Sequence, residues 1–450
     1  MSHTTTPATD ARQRRGVGYL QLLRSNRAFR WLFAARSVSL LGDWFNTLAL
    51  FALLDKMRGD SASSFGWVLI LKLAPLLVMG PAAGVVADRF NRKRVMVWTD
   101  LLRGVVVIGL LLLARWPRLD LLLTLTFLQI SLSAFFEPAR SAAVAQICSR
   151  DELLAANALM AVTWSIMLTV GAAVGGVASH LFGWQTAILL DAATYVASAL
   201  LILPIHLPSH QPARRGVGAW HALGLGDAVD GFRFMWHNPA VATMVSAKGA
   251  WGVGGALTLM LTLFGQRVYP LLGSPVLGMT LFYSARGVGT AFGPILFRRL
   301  AGHSLDAMRW AISASFLLAA VSYFAFGFVH SLPLAVLFVI LAHLGGATIW
   351  VFSTVLIQRS VPQAFQGRVF AAEMALFTLT FSLSTWIFGA LRDVLGVDLH
   401  VLMRALAGGI LLAGLVWSAA ARTWPLRRDA EPALEATADR AAARAAGERP

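Results

Sequence analysis

A single cysteine, Cys148, stands in 450 residues. An intramolecular disulfide and any Cys-rich metal site are therefore excluded, and the position beside an expected cytoplasmic loop makes Cys148 a free thiol. Charge is scarce as well. Charged residues make up 13% of the chain against 57% hydrophobic, too little to clothe a water-soluble fold of this size. Acids are the rarer sign, 22 Asp and Glu against 38 Lys and Arg, for a formal net charge of +16. That excess would fit a nucleic-acid binder if the cations formed one stripe interleaved with aromatics. They gather instead at the ends of apolar segments, so no nucleic-acid partner is expected. No Gly-rich loop ending in Gly-Lys-Ser/Thr is present, which argues against ATP-driven work by this chain alone. His206, His210, His221 and His237 scatter without metal-ligand spacing, and no serine or cysteine nucleophile with a positioned base can be argued. Neither an enzyme nor a cofactor is expected. A cleavable signal is not evident either: Met1 to Arg30 is basic and polar, and the first apolar run is too long for a signal peptide.

What the chain does have is a succession of apolar runs, each long enough to cross a hydrocarbon layer of about 30 Å. They fall near 29–54, 65–87, 95–114, 119–147, 153–181 and 184–205, then near 240–268, 275–300, 308–329, 332–357, 369–391 and 400–421. The expected fold is an all-α integral membrane protein with about twelve transmembrane helices in two pseudo-symmetric six-helix bundles. Residues 1–28 read as a cytoplasmic segment, 29–205 as the first bundle and 240–421 as the second. The linker, 206–239, is rich in Pro, Gly and His. Within it, 226–236 interleaves Val229, Phe232, Phe234 and Trp236 with Asp227, Asp230 and Arg233, which suits either an interfacial helix or a solvated connector. The tail, 422–450, is Ala-, Arg- and Glu-rich without a core pattern and is expected to be disordered or loosely helical. Arg12, Arg14, Arg15, Arg24, Arg27 and Arg30 precede the first span, and Arg298, Arg299, Arg309, Arg359 and Arg368 mark later turns. Both termini are therefore expected on the cytoplasmic side.

The chain is organised around Gly84-Val85-Val86-Ala87-Asp88-Arg89-Phe90-Asn91-Arg92-Lys93-Arg94, a basic hinge between the second and third runs. One reading is a positive-inside stop signal. The other rests on Gly80, Gly84, Asp88 and Arg89 sharing helical spacing, which calls for close packing leading up to a placed charge. This segment resembles the signature loop of the major facilitator superfamily, with Asn91 in place of the usual turn glycine, a residue that also tolerates left-handed backbone. Glu137-Pro138-Ala139-Arg140, the run from Glu152 to Leu159, Val361-Pro362 and Gln366-Gly367-Arg368-Val369 resemble the branch containing bacterial macrolide-efflux and siderophore-export proteins. The resemblance implies a secondary transporter of the bacterial inner membrane, acting as a monomer among lipid. It would move a hydrophobic or amphiphilic drug or secreted metabolite outward in exchange for protons. Uptake or lipid movement by the same fold, and a membrane sensor that binds without transporting, are the alternatives.

Internal repetition supports two halves. Gly80, Gly84 and Arg89 recur as Gly289, Gly293 and Arg298, each pair 209 residues apart. Asp88 maps onto Phe297, so any lock made by that acid is expected to be one-sided. A second echo pairs Ala155-Ala156-Asn157 with Ala371-Ala372-Glu373. Gly171, Gly175 and Gly176 resemble the superfamily's antiporter signature, with Ala172 where proline usually stands; ordinary packing glycines are the competing reading. Gly293-Pro294 is expected to kink span eight.

Ionisable residues inside spans are costly and are commonly retained for a pathway or a partner. Asp43 leads the proton-coupling candidates, followed by Glu137 and Glu373, then Asp191. Arg36, Lys72, Lys248 and Arg286 are expected either to pair with acids or to attract an anionic substrate group. Asp43 paired statically with Arg36 or Lys72 is the structural alternative, and Glu137 is expected to meet Arg140 or Arg103. Gly84, Asp88, Arg89, Arg92, Arg94, Arg140, Gly367 and Arg368 are the expected cytoplasmic gate. There Asp88 would face the N–H groups and positive dipole end at the start of span eleven.

Overall fold

A computed structural model of the protein describes residues 18–59, 61–207, 235–302 and 304–423. In hydrocarbon each backbone N–H and C=O needs an internal partner, so long apolar runs resolve into helices. The first half holds α1 (Tyr19–Ser25), α2 (Arg27–Arg58), α3 (Ala62–Leu71), α4 (Ala74–Arg89), α5 (Arg92–Gly109), α6 (Leu119–Ile147), α7 (Arg150–Ile166) and α8 (Ala172–Ile202). The second half holds α9 (Pro239–Gly252), α10 (Leu257–Leu263), α11 (Pro275–Ala301), α12 (Leu305–Phe326), α13 (Leu332–Ser360), α14 (Gln363–Leu395) and α15 (Leu399–Thr423). Polar residues set the starts. Asn26, Ser61, Asn91, Ser274 and Ser304 each accept a backbone N–H three residues on, and Ser149 forms a reciprocal capping box with Glu152.

Ten stretches of the described residues are long and apolar enough to span a membrane, and one of them, Ala155–Ile202, runs for 48 residues. That stretch is two spans. Gly183 adopts φ 79° and ψ 165°, and its flanks return to the same level of α2, Gly175 against Trp44 and Asp191 against Gly42. The chain therefore doubles back at Gly183, where a positive φ suits glycine. Counting it as two and adding α11, which carries Arg286, Arg298 and Arg299, gives twelve spans. Both halves use one packing plan: α2 and α5 lie on α8 as α9 and α12 lie on α15, and α4 lies on α6 as α11 lies on α13. The sequence repeat follows this plan, since Gly80 and Gly289 occupy the second span of each half. Outward flanks present large apolar side chains such as Trp98, Val105, Leu181, Trp310 and Leu383, the surface a bilayer requires.

Two expectations change on inspection. Asn91 is not left-handed but extended at φ −62°, ψ 113°, because it caps α5. The second span is not continuous: it breaks at Lys72 and Leu73, between α3 and α4. In span five, where Ala172 stands in place of proline, a π-turn runs over Met167–Gly171. In span eight, Pro294 stands inside α11. The interfacial helix expected over 226–236 lies mainly outside the described residues, as do 1–17 and the tail from 424.

Cys148 closes α6, is 7% exposed, and packs in a small apolar cluster with Phe29, Met96 and Ala143. Burial, with Glu152 adding to it, pushes the thiol up to about 11. Maleimide alkylation of the native protein at neutral pH is therefore expected to be slow and to become rapid after unfolding in SDS. Fast labelling of the native protein would contradict this packing.

Candidate functional site

A charged cluster fills the middle of the first half, between the small apolar cluster at its terminal end and the main core. Asp43 lies near the centre of α2, and its Oδ1 accepts from Arg103 Nη2 at 3.0 Å and from the Tyr195 hydroxyl at 2.7 Å. Arg103, on α5, is 2% exposed and also donates to Asp100 at 3.2 Å and to the Tyr195 oxygen at 2.8 Å. Ser198 donates to the other Asp100 oxygen at 2.6 Å, and Gln129 donates to Tyr195 at 3.0 Å. Each polar atom so held offsets part of the desolvation of a buried charge. Arg36 bridges outward from this core. Its guanidinium stands 4.0 Å from Asp43 and 2.7 Å from Glu137, whose second oxygen takes two bonds from Arg140 at 3.0 and 2.9 Å. Lys72 donates to Thr47 at 2.8 Å, and the Thr47 hydroxyl donates to the Asp43 carbonyl at 2.6 Å. Asp191 is buried against Gly42 with the Asn46 side chain as its polar neighbour.

The pairing differs in part from expectation. Asp43 is held chiefly by Arg103, with Arg36 at the limit of contact and Lys72 held by a threonine. Glu137 takes Arg140, one of its two expected partners, and also Arg36. Arg103 itself lies about three turns into α5. Tyr195, Gln129, Ser198 and Thr47 were not anticipated; the visible signal was the Asp100 to Arg103 spacing, which places both on one helical face.

A cavity of about 320 Å³ opens beside the cluster, lined by Arg36, Leu40, Glu137, Arg140, Asn157 and Trp164 among others. A larger niche at Arg298, Arg299 and Gly302 sits at the end of α11, away from the carboxylates. In the second half, Lys248 and Glu373 form a buried pair at 2.7 Å, 4% and 0% exposed, and Lys248 also donates to Thr354 at 2.8 Å and lies 4.6 Å from the Trp350 ring centre. Asn157 and Glu373, matched in the repeat, thus fall on the equivalent helices α7 and α14 with different roles. Arg286 meets the Thr258 hydroxyl at 3.3 Å.

The expected gate residues make contacts of their own. Arg140 is committed to Glu137, Arg92 donates to the Ala142 carbonyl at 3.4 Å, and the Arg368 guanidinium lies 5.2 Å from the Phe365 ring centre. Arg89 and Arg94 are exposed. A Cβ placed on Gly84 or Gly367 would meet open space, and the Asp88 side chain lies outside the described residues. On the opposite face the halves are tied together. Asp393, near the end of α14, accepts from the backbone N–H of Ala62 at 2.7 Å and Ser63 at 2.9 Å and from the Ser61 hydroxyl at 3.1 Å. Arg267 donates to Asp55 at 2.8 Å and to the Gly59 carbonyl.

The span-five glycines sit at this seam. A Cβ on Gly171 or Gly175 would press on Trp44 at 2.6 and 2.9 Å, and one on Gly176 would overlap the Thr280 hydroxyl of the second half. Gly176→Val is therefore expected to destabilise the protein by about 1–3 kcal/mol, the range for overpacking. The check is the thermal midpoint in detergent, with Thr280→Ala expected to relieve Gly176→Ala; an unchanged midpoint for Gly176→Val would rule out the close approach.

Twelve spans in two like-packed halves, with charges buried at mid-depth, define a membrane transporter and not an enzyme. The chain belongs to the Major Facilitator Superfamily, whose profile matches residues 32–385. It is 26% identical over 359 residues to the putative bacilysin exporter BacE of Bacillus subtilis (strain 168), covering 79% of this chain and 86% of that one. It is also 26% identical over 363 residues to the enterobactin exporter EntS of Shigella boydii serotype 18, covering 78% and 82%. Among solved structures, a mutant form of the nucleoside transporter NupG superposes with a TM-score of 0.71 at 13% identity, over 88% of this chain and 100% of that one. That last likeness concerns the fold.

Proposed function

We propose that this transporter exports a hydrophobic or amphiphilic compound, a drug or a secreted metabolite, in exchange for protons and by alternating access. The observation that carries the reading is the Asp43 carboxylate, bonded to Arg103 and Tyr195 at mid-membrane and linked through Arg36 to a cavity. The similarity to proteins named as exporters of bacilysin and enterobactin favours the outward direction. The Arg- and Lys-rich hinge after α4 lies at the same end of the first half as the start of α2, since Leu22, Phe29 and Met96 share one apolar cluster, which favours placing that end in the cytoplasm. In that orientation the Asp393 and Arg267 contacts close the outer side, and the cavity faces inward. Protonation of Asp43 removes the charge that Arg103 and Arg36 share, leaves Arg36 to Glu137, and loosens α2 from α5. Loss of the proton to the cytoplasm restores the pair and resets the cycle. The Asp88 to α14 contact would close the cytoplasmic side in the other half of that cycle.

Proteoliposome flux under an imposed pH gradient tests this. Gradient-driven accumulation and counterflow are expected. Binding without counterflow would mark a sensor instead, and uptake coupled to inward proton flow would reverse the direction.

A further inference from the structure

Most cations buried in the spans have a carboxylate at hand. Arg36 has Glu137, Arg103 has Asp43 and Asp100, Arg140 has Glu137, and Lys248 has Glu373. Lys72, held by Thr47, has Asp43 and Asp191 in its vicinity. Arg404 lacks one but gives Nη1 to the Gly327 carbonyl at 2.8 Å and lies 4.6 Å from the Phe328 ring centre; Arg286 has less. Among the described residues no carboxylate lies within 4 Å of it; Nη1 makes one long bond to the neutral Thr258, and Nε is buried without a partner. Its other polar surroundings are already engaged with one another, the Tyr283 hydroxyl with Thr262 at 2.9 Å and the Tyr323 hydroxyl with His343 at 2.9 Å. A guanidinium without a counter-charge is the arrangement a membrane protein ordinarily avoids, since the ion has lost part of its water and gained no opposite charge in return.

Its place in the fold gives the arrangement a use. Arg286 is on the stretch of α11 that meets the first half: the Tyr283 ring lies 5.8 Å edge-on from Trp44, Ser284 donates to the Thr169 carbonyl at 3.2 Å, and Gly287 packs on Thr169. The side chain is itself partly exposed. A ligand held between the halves would thus meet the part-buried Trp44 ring, backed by the buried Tyr283, beside an uncompensated planar cation, which matches a carboxylate with two parallel N–H bonds.

We propose that Arg286 is the anion-recognition residue of the transported compound, and that the substrate class is an amphiphile with an aromatic or apolar body and one carboxylate-like anionic group. The cation is supplied by the second half, through α11. This rests on the export reading for the word substrate, but the binding geometry stands apart from it.

The test uses the purified full chain in a nonionic detergent, with empty micelles as the blank, and three probes of one shape: 2-naphthoate, neutral 2-naphthamide and cationic 2-naphthylmethylammonium. Equilibrium dialysis is expected to find naphthoate bound about tenfold more tightly than either other probe. Arg286→Gln is expected to erase that preference, and Arg286→Lys, which keeps the charge and guards against misfolding, to retain most of it. No preference in the parent protein, or an unchanged preference in Arg286→Gln, would overturn the proposal. Naphthoate flux in proteoliposomes reads the export hypothesis separately, since Arg286-dependent binding without flux would spare this inference and reject export.

Discussion

Asp43→Asn is expected to abolish proton-driven accumulation of substrate in vesicles while leaving downhill exchange in place. The amide keeps the shape of the carboxylate and still accepts from Tyr195, whose hydroxyl lies 2.7 Å away, so the helices remain together. It cannot carry the negative charge that Arg103 and Arg36 share, so gaining or losing a proton no longer alters what binds the two arginines. A static tie between helices predicts something else, a parallel loss of expression and of both activities. Full accumulation by Asp43→Asn under a pH gradient would reject Asp43 as the coupling group and move attention to Glu137 or Glu373.

The second large effect concerns folding. Arg103→Leu should destabilise the protein by about 3–5 kcal/mol, the range for removing one member of a buried ion pair. The loss arises because Asp100, fully buried, would keep only the Ser198 hydroxyl, and Asp43 would keep Tyr195 and a distant Arg36. Asp100→Asn in the same chain is expected to recover part of the loss by removing the stranded charge. The thermal midpoint of detergent-purified protein, compared across the two single variants and the double, measures this. A midpoint for Arg103→Leu equal to that of the parent would mean the network contributes nothing to the fold.

Much of the architecture was legible because a bilayer constrains composition directly. Twelve apolar runs, the basic hinge after Ala87 and the 209-residue repeat need no tertiary information, and the helices fall where the runs do. The site was legible only in part. Asp43, Arg36, Glu137, Lys248 and Glu373 stand out as charges in apolar spans, and the structure brings the first three together and pairs the last two. Which arginine meets Asp43 depends on how α2 and α5 are rotated about their axes. Periodicity within one helix carries no such information, so Arg103, 60 residues away in sequence, could not be matched to it. Tyr195 and Gln129 were hidden for a different reason, being neutral and ordinary in an apolar run until burial leaves them a single set of partners. The π-turn over Met167–Gly171 was not legible at all, since it has no residue signature.

The tie through Asp393 is unequal in a way that bears on how the chain tolerates change. Two of its three donors are backbone N–H groups, at Ala62 and Ser63, and any residue other than proline supplies them. Sequence drift at the start of α3 can therefore alter side chains freely while the contact persists, whereas on α14 it rests on one carboxylate. The two halves do not share the mutational risk of this contact: nearly all of it falls on a single codon.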